Sequence, residues 1–299
     1  MKERYERLSG GFHNEVFYDK NDNRIIRISA NCKSAEEVHQ ELQWMDFLHR
    51  NGIPLSKPAQ EIELDGGLVK AHFEFVRGNP VDVTNPAHWN ERNFEQFGRI
   101  LGRMHALSKE YRIENNRRPV WTKENPDVFG IKNDLAGWLE KEYDRLMEDL
   151  QPYKLSLDTF GLIHNDFHQG NFIVRENGEI VVIDFDECAC NWFAQDLAVL
   201  FYHAYWQQDS FIGEAEAFSR RFMHHVFSGY QSETELHPDT IAQIPIFLKL
   251  REIFLYQLFR RKWDKAHLED WQEYTLEDLK RKIKNREPYA GVEDFSAYL

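Results

Sequence analysis

The chain has 299 residues with 37 Lys+Arg against 50 Asp+Glu, a net charge of −13; hydrophobic residues make up 42% and aromatic residues 14%. This composition excludes a disordered chain, the acidic balance argues against general nucleic-acid binding, and no uncharged apolar run reaches membrane-spanning length, since IPIFLKLREIFLYQLF is broken by Lys249, Arg251 and Glu252. The segment MKERYER lacks the apolar stretch of a secretory leader, and Cys32, Cys188 and Cys190 are too few for a disulfide framework, so a cytoplasmic protein of one large or two closely joined domains is expected.

The run EVFYDKNDNRIIRIS predicts a hairpin turning through Asp19-Lys20-Asn21-Asp22-Asn23. Ser34, with Glu37 three residues on, predicts an N-capped helix. Val38, Leu42, Met45 and Leu48 form its buried stripe, and Asn51-Gly52 stops it. EIELDGGLVKAHFEFVRG reads as strand, Gly66-Gly67 turn, strand. Residues 1–78 are therefore expected to form a small antiparallel-sheet lobe holding one helix.

Beyond Gly78 the period changes. Phe94, Phe97, Leu101, Met104 and Leu107 share one helical face, with Gly98 and Gly102 on an adjacent strip suited to close helix approach. LAGWLEKEYDRLMEDL predicts a second amphipathic helix. FGLIHNDFHQGNFIVRENGEIVVIDFDE then breaks the helical rhythm: an apolar run, a polar loop, a strand at Phe172–Val174, an Asn177-Gly178 turn and a strand at Ile180–Phe185. From Asp196 onward the pattern is helical and aromatic-rich, so residues 79–299 are expected to form a larger, mainly helical lobe. The fold class is α+β with a cleft between two unequal lobes.

The polar hairpin carries the chemistry. Asp166 lies five positions before Asn171, and Asp184 closes the next apolar strand. Phosphoryl transfer from ATP requires a carboxylate beside the attacking hydroxyl and two oxygen ligands for Mg²⁺. Asp166 suits the first task; the Asn171 amide oxygen and the Asp184 carboxylate suit the second.

His164-Asn165-Asp166-Phe167-His168-Gln169-Gly170-Asn171, followed by Ile183-Asp184-Phe185-Asp186, resembles the aminoglycoside phosphotransferase/choline kinase family. The resemblance spans most of the chain and is strongest at 160–200. It implies a bilobal protein-kinase-like fold, with residues 1–78 as the nucleotide-binding lobe and hinge and residues 79–299 carrying the catalytic loop and acceptor site. It also implies ATP and Mg²⁺ as cofactors. On the same resemblance, Leu8 to Val16, with Gly10, Gly11 and Asn14, stands for the nucleotide-covering loop. Arg27 takes the place of the phosphate-binding strand cation, where many relatives have Lys, and Glu41 is its helical partner. The hinge is Phe73 to Gly78, meeting adenine through backbone groups of Glu74 and Val76. His164 and Asp196 are expected to brace the catalytic loop. Asp186 reads either as an aid to metal binding or as a surface carboxylate.

For the acceptor, a small hydroxyl compound, cationic or neutral, of amino-alcohol, aminoglycoside, choline or homoserine type, the sequence offers Trp192, Tyr205, Trp206 and Glu252. The aromatic residues are better suited to the core of the helical lobe, and Glu252 to an ion pair with Arg251 or Arg260. Neither a nucleic-acid nor a membrane partner is expected. Two other functions compete: a nucleotide-binding pseudokinase, and a metal-dependent hydrolase using His164, Asp166 and His168 as ligands. No activation loop or A-P-E signature follows Asp184, which disfavours a protein kinase.

Overall fold

The computed structural model describes residues 4–8, 14–29, 33–128, 130, 132, 135, 137–264 and 266–299. Gly10 and Gly11 lie outside them. The N-terminal part is a five-stranded antiparallel sheet in the order β1-β2-β3-β5-β4, built from β1 (Tyr5–Leu8), β2 (Glu15–Asp19), β3 (Arg24–Ile28), β4 (Pro58–Asp65) and β5 (Leu68–Glu74). Helix α1 (Ala35–Arg50) opens on a capping box: Ser34 Oγ accepts from Glu37 N, and the Glu37 carboxylate accepts from Ser34 N. Val38, Leu42, Met45 and Leu48 are buried, as their spacing requires. Arg27 sits opposite Ala71 in the β3–β5 ladder, and that small neighbour leaves room for a guanidinium to turn inward.

The strand β6 (Asn79–Pro80) leaves this lobe and pairs with β8 (Phe172–Val174), which pairs in turn with β9 (Ile180–Val182). β9 stops at Val182, short of the predicted Phe185, because Ile183 N turns to Asn171 O. A further two-stranded ladder, β7 (Phe160–Ile163) with β10 (Ala189–Trp192), is not apparent in the sequence. The other helices are α2 (Glu91–Glu110), α3 (Trp138–Leu150), α4 (Phe193–Phe211), α5 (Ala215–Gln231), α6 (Pro238–Lys262) and α7 (Asp270–Asn285). α6 continues through an internal proline, Pro245. No helix among the described residues is long and apolar enough to cross a membrane.

The platform beneath the site is the α2–α5 pair. A Cβ at Gly98 would lie 1.9 Å from Val226 O, one at Gly102 2.5 Å from Tyr230 O, and one at Gly229 2.0 Å from Glu95 O. Only glycine permits this backbone contact. Phe94 and Trp89 pack edge to face (4.9 Å), and Phe94 meets Phe222 at 4.8 Å. Each such ring contributes about 1.5–3 kcal/mol through burial.

Candidate active site

The loop after β7 is fixed from below by Asp196, in the first turn of α4. Its Oδ1 accepts from Asn165 N at 2.6 Å and its Oδ2 from His164 N at 3.1 Å, while His105 Nε2 lies 3.3 Å from Oδ2. Asn165 adopts a left-handed conformation (φ 71°) that reverses the chain. Gln195 Nε2 donates to its carbonyl and Asn191 Nδ2 to its side-chain oxygen. The His164 ring is engaged at both nitrogens: Nδ1 accepts from Asp166 N (3.4 Å) and Nε2 donates to Ile183 O (3.1 Å). His164 therefore ties the loop to the β9 end, and the hydrolase trio His164, Asp166 and His168 does not form.

These supports bring the Asp166 carboxylate to the cleft. Oδ2 accepts from Asn171 Nδ2 at 3.3 Å and has His168 Nε2 at 3.4 Å; Oδ1 accepts from Arg251 Nη2 at 2.8 Å. The same Nη2 lies 2.7 Å from His203 Nε2, and the His168 and His203 rings stack at 4.1 Å. Ligand atoms of Asp166, His168 and His203 lie within 4.8 Å of one another, yet Arg251 already supplies a positive charge to two of the three. Burial alone would raise the Asp166 pKa, but Arg251 first, then His168, hold it well below 3.8. The group is a fixed carboxylate.

Asn171 Nδ2 also donates to Asp166 O at 2.9 Å, which leaves its amide oxygen for a ligand. Asp184, held at φ 62° just past β9, opens onto the cleft beside it. Asp184 is exposed to solvent in the cleft, yet its enclosure between the lobes removes enough surrounding water to push its pKa up. Arg27 pulls it down, and the carboxylates of Asp186, Asp166 and Glu41 push it up again, to about 7. An oxygen-only donor pair in a place short of one positive charge fits a hard divalent cation such as Mg²⁺.

Arg27 and Glu41 form a buried, two-pronged pair, Nη1–Oε1 2.7 Å and Nη2–Oε2 2.8 Å, with Arg27 Cζ 5.2 Å over the Phe73 ring. Burial opposes the Arg27 charge, but Glu41 and Asp186 raise its pKa further. Asp186 is not a surface carboxylate: it is 3% exposed and lies 3.7 Å from Arg27 Nη2 and 2.7 Å from Lys33 Nζ. Asn14 Nδ2 also donates to it at 2.7 Å. Burial alone would raise its pKa, but these partners, Arg27 foremost, hold it at about 2. Asn14 and Lys33 thus strut one lobe against the other. At the hinge, Glu74 N donates to Lys57 O and Glu74 O accepts from Ser56 Oγ. Among the described residues no hydrogen bond engages the Val76 backbone.

The acceptor candidates fare differently. Trp192 is wholly buried against Trp121 and Phe160, and Tyr205 packs on Phe201 and Tyr289, so both serve the core. Trp206 is 46% exposed. Glu252 is fully buried and pairs with Lys249 at 2.6 Å, not with Arg251 or Arg260. Lys249 stands three residues before it on the same helix, so one turn brings the two side chains together. Lys33, Arg118 and His203 are not marked by the sequence, and Arg251 is marked there only as a candidate partner of Glu252, not of Asp166. Arg118 donates to Asp186 O and Cys188 O. No local pattern marks these roles, because the partners that define them lie far off in the chain, from His168 against His203 to Lys33 against Asp186, 153 positions apart.

A fixed carboxylate, a vacant amide oxygen, a cleft carboxylate and a buried cation between a sheet lobe and a helical lobe define a kinase-like phosphotransferase. The family profile described as "Phosphotransferase enzyme family" (APH) matches residues 4–234. Amicoumacin kinase of Bacillus subtilis (strain 168) is 31% identical over 95% of this chain and 88% of its own. The chain belongs to the aminoglycoside phosphotransferase (APH) family of small-molecule kinases. The structure titled "Amicoumacin kinase hAmiN in complex with AMP-PNP, Ca2+ and Ami" superposes with a TM-score of 0.88 at 26% identity, covering 100% of this chain and 93% of that one. A microcompartment-associated aminopropanol kinase shares the fold (TM-score 0.70, 20% identity, 96% and 93% coverage). The protein is a phosphotransferase with an alcohol acceptor, using ATP and a divalent metal.

Proposed function

We propose that this kinase phosphorylates a hydroxyl of an amicoumacin-type small molecule and that Asp166 orients that hydroxyl and receives its proton. Bound Mg²⁺·ATP supplies the transferable phosphoryl group and neutralises part of its charge. Asn171 and Asp184 would hold the metal. Arg27, kept straight by Glu41, would meet the phosphates, with Gly10, Gly11 and Asn14 in the covering loop. Backbone groups of Glu74 and Val76 would meet the adenine. Catalysis is then mostly positioning and electrostatics. The observation that carries the reading is the Asn171 amide: its nitrogen is turned onto Asp166, so its oxygen is left beside a cleft carboxylate, Asp184, on which neighbouring carboxylates outweigh Arg27. Likeness to amicoumacin kinases over nearly the whole chain supports the acceptor class.

The test is ADP release with Mg·ATP against amicoumacin, aminopropanol, homoserine, choline and aminoglycosides, with Asp166→Asn alongside. Turnover stimulated by amicoumacin and lost in the variant is expected. Full turnover in the variant would remove Asp166 from its role, and stimulation by other acceptors alone would replace the substrate class.

A further inference from the structure

Arg251 belongs to none of the motifs that mark the site. It comes from the middle of α6, its side chain is 6% exposed, and its guanidinium lies 5.0 Å from the Phe254 ring centroid. Buried arginines usually grip a carboxylate with two nitrogens. Arg251 uses one: Nη2 alone reaches both Asp166 Oδ1 (2.8 Å) and His203 Nε2 (2.7 Å). The histidine nitrogen must accept there, because an arginine cannot. Nε is buried with no partner, and Nη1 makes no hydrogen bond among the described residues. A guanidinium more than nine-tenths buried, with half of its fork unused, has capacity for another acceptor atom.

The two oxygens of Asp166 separate the sides of the site. Oδ2 faces Asn171 and His168, toward the metal-binding pair; Oδ1 faces α6. With Asp166 receiving the acceptor's proton as proposed, the oxygen turned away from the metal pair is the one that meets the hydroxyl, which puts Arg251 on the acceptor side. A fixed positive charge there repels an ammonium on the carbon next to the reacting hydroxyl. It offers N–H donors to a carbonyl or carboxylate oxygen at the same place.

We propose that Arg251 is a specificity residue that selects acceptors whose phosphorylated hydroxyl lies next to a carbonyl, amide or carboxylate group, over amino alcohols bearing an ammonium there. The proposal rests on Asp166 being the residue that orients the acceptor hydroxyl. It narrows the cationic acceptor expected from sequence: the group flanking the reacting carbon on the Arg251 side is a carbonyl, amide or carboxylate, and any ammonium lies on the other side.

Two probes differing at one position test it. Isoserinamide carries an amide next to its hydroxyl-bearing carbon, and 1,3-diaminopropan-2-ol carries an aminomethyl group there. Each is titrated into the full chain loaded with Mg²⁺ and AMP-PNP, and binding is followed by ligand-observed NMR for wild type, Arg251→Lys and Arg251→Gln. The expected result is wild-type binding of isoserinamide at least about ten-fold tighter than of the diamine, a ratio near one in Arg251→Gln, and a partial preference in Arg251→Lys. Equal or tighter binding of the diamine by wild type overturns the proposal. So does failure of wild type to bind isoserinamide, or an undiminished preference in Arg251→Gln. The wild-type comparison needs no variant to fold. Failure of the Asp166 assignment would appear separately, as ADP release unimpaired in Asp166→Asn.

Discussion

The Arg27–Glu41 pair permits a prediction that separates stability from activity. Glu41→Ala removes both acceptors of a guanidinium that is 4% exposed and leaves Asp186, at 3.7 Å, as its remaining counter-charge. Breaking a buried pair from one side costs about 3–5 kcal/mol, and the residual attraction to Asp186 places this case near the lower bound, about 3 kcal/mol. With an unfolding entropy of about 2.1 cal/mol/K per residue, a chain of this length has about 0.6 kcal/mol/K, so the melting temperature falls by about 5 °C. Replacing both members, Arg27→Met with Glu41→Leu, removes the charges together. Stability returns to within about 1 kcal/mol of wild type, because Asp186 keeps Lys33 and Asn14. Acceptor-dependent ADP release nevertheless stays at least about 100-fold down, because no cation is left to meet the phosphates. Calorimetry and a coupled ADP assay on the three proteins decide the matter. A melting point unchanged in Glu41→Ala, or wild-type turnover in the double variant, refutes the reasoning.

Asp166→Asn should lower kcat by about 10²–10⁴-fold while leaving nucleotide binding, measured by calorimetry with Mg²⁺·AMP-PNP, close to wild type; a collapse of nucleotide affinity instead would reassign the residue. Gly98→Ala drives a methyl to 1.9 Å from Val226 O and should cost more than about 3 kcal/mol in urea unfolding. Gly66→Ala, strained at φ 58° but in open space, should cost only about 1 kcal/mol, so equal losses would contradict the close α2–α5 contact. His105, His164 and His203 have pKa values lowered by burial below the ordinary 6.5. Each folded pKa is depressed, so their contribution is present above pH 6.5 and is lost as pH falls, at up to about 1.4 kcal/mol per pH unit per histidine. Urea midpoints that do not change between pH 7.5 and 5.5 would show that these histidines are not buried and neutral.

Much of the site was legible because its signals are short-range. The capping box needs only Ser34 and Glu37, the α2 stripe one helical period, and the loop from His164 to Asn171 eight consecutive residues. Arg27 and Glu41 stand only 14 positions apart. What stayed hidden depends on distant parts of the chain. β10 is a four-residue strand that exists because β7 lies beside it, and Asp186 is buried because Asn14, Lys33 and Arg27 converge on it from the other lobe. Glu252 shows the opposite case: its expected partner is Arg251 or Arg260, while a single turn of helix delivers Lys249 to it. Arg251 is one charge in a helix rich in them until α4 and the catalytic loop are packed against it.

Asp196 has a consequence for how such a protein diversifies. Its two oxygens receive the amides of residues 164 and 165 and meet His105 of α2, so the height of the catalytic loop is gauged from the root of α4. A glutamate there would be longer by about 1.5 Å and would shift Asp166 by a comparable amount, a displacement that costs reactivity steeply. Among the described residues the proposed acceptor walls, the later turns of α4 and α6, touch that gauge only through Arg251, which holds Asp166 Oδ1. Substitutions can accumulate along those walls and exchange one acceptor for another while the phosphotransfer geometry keeps its calibration.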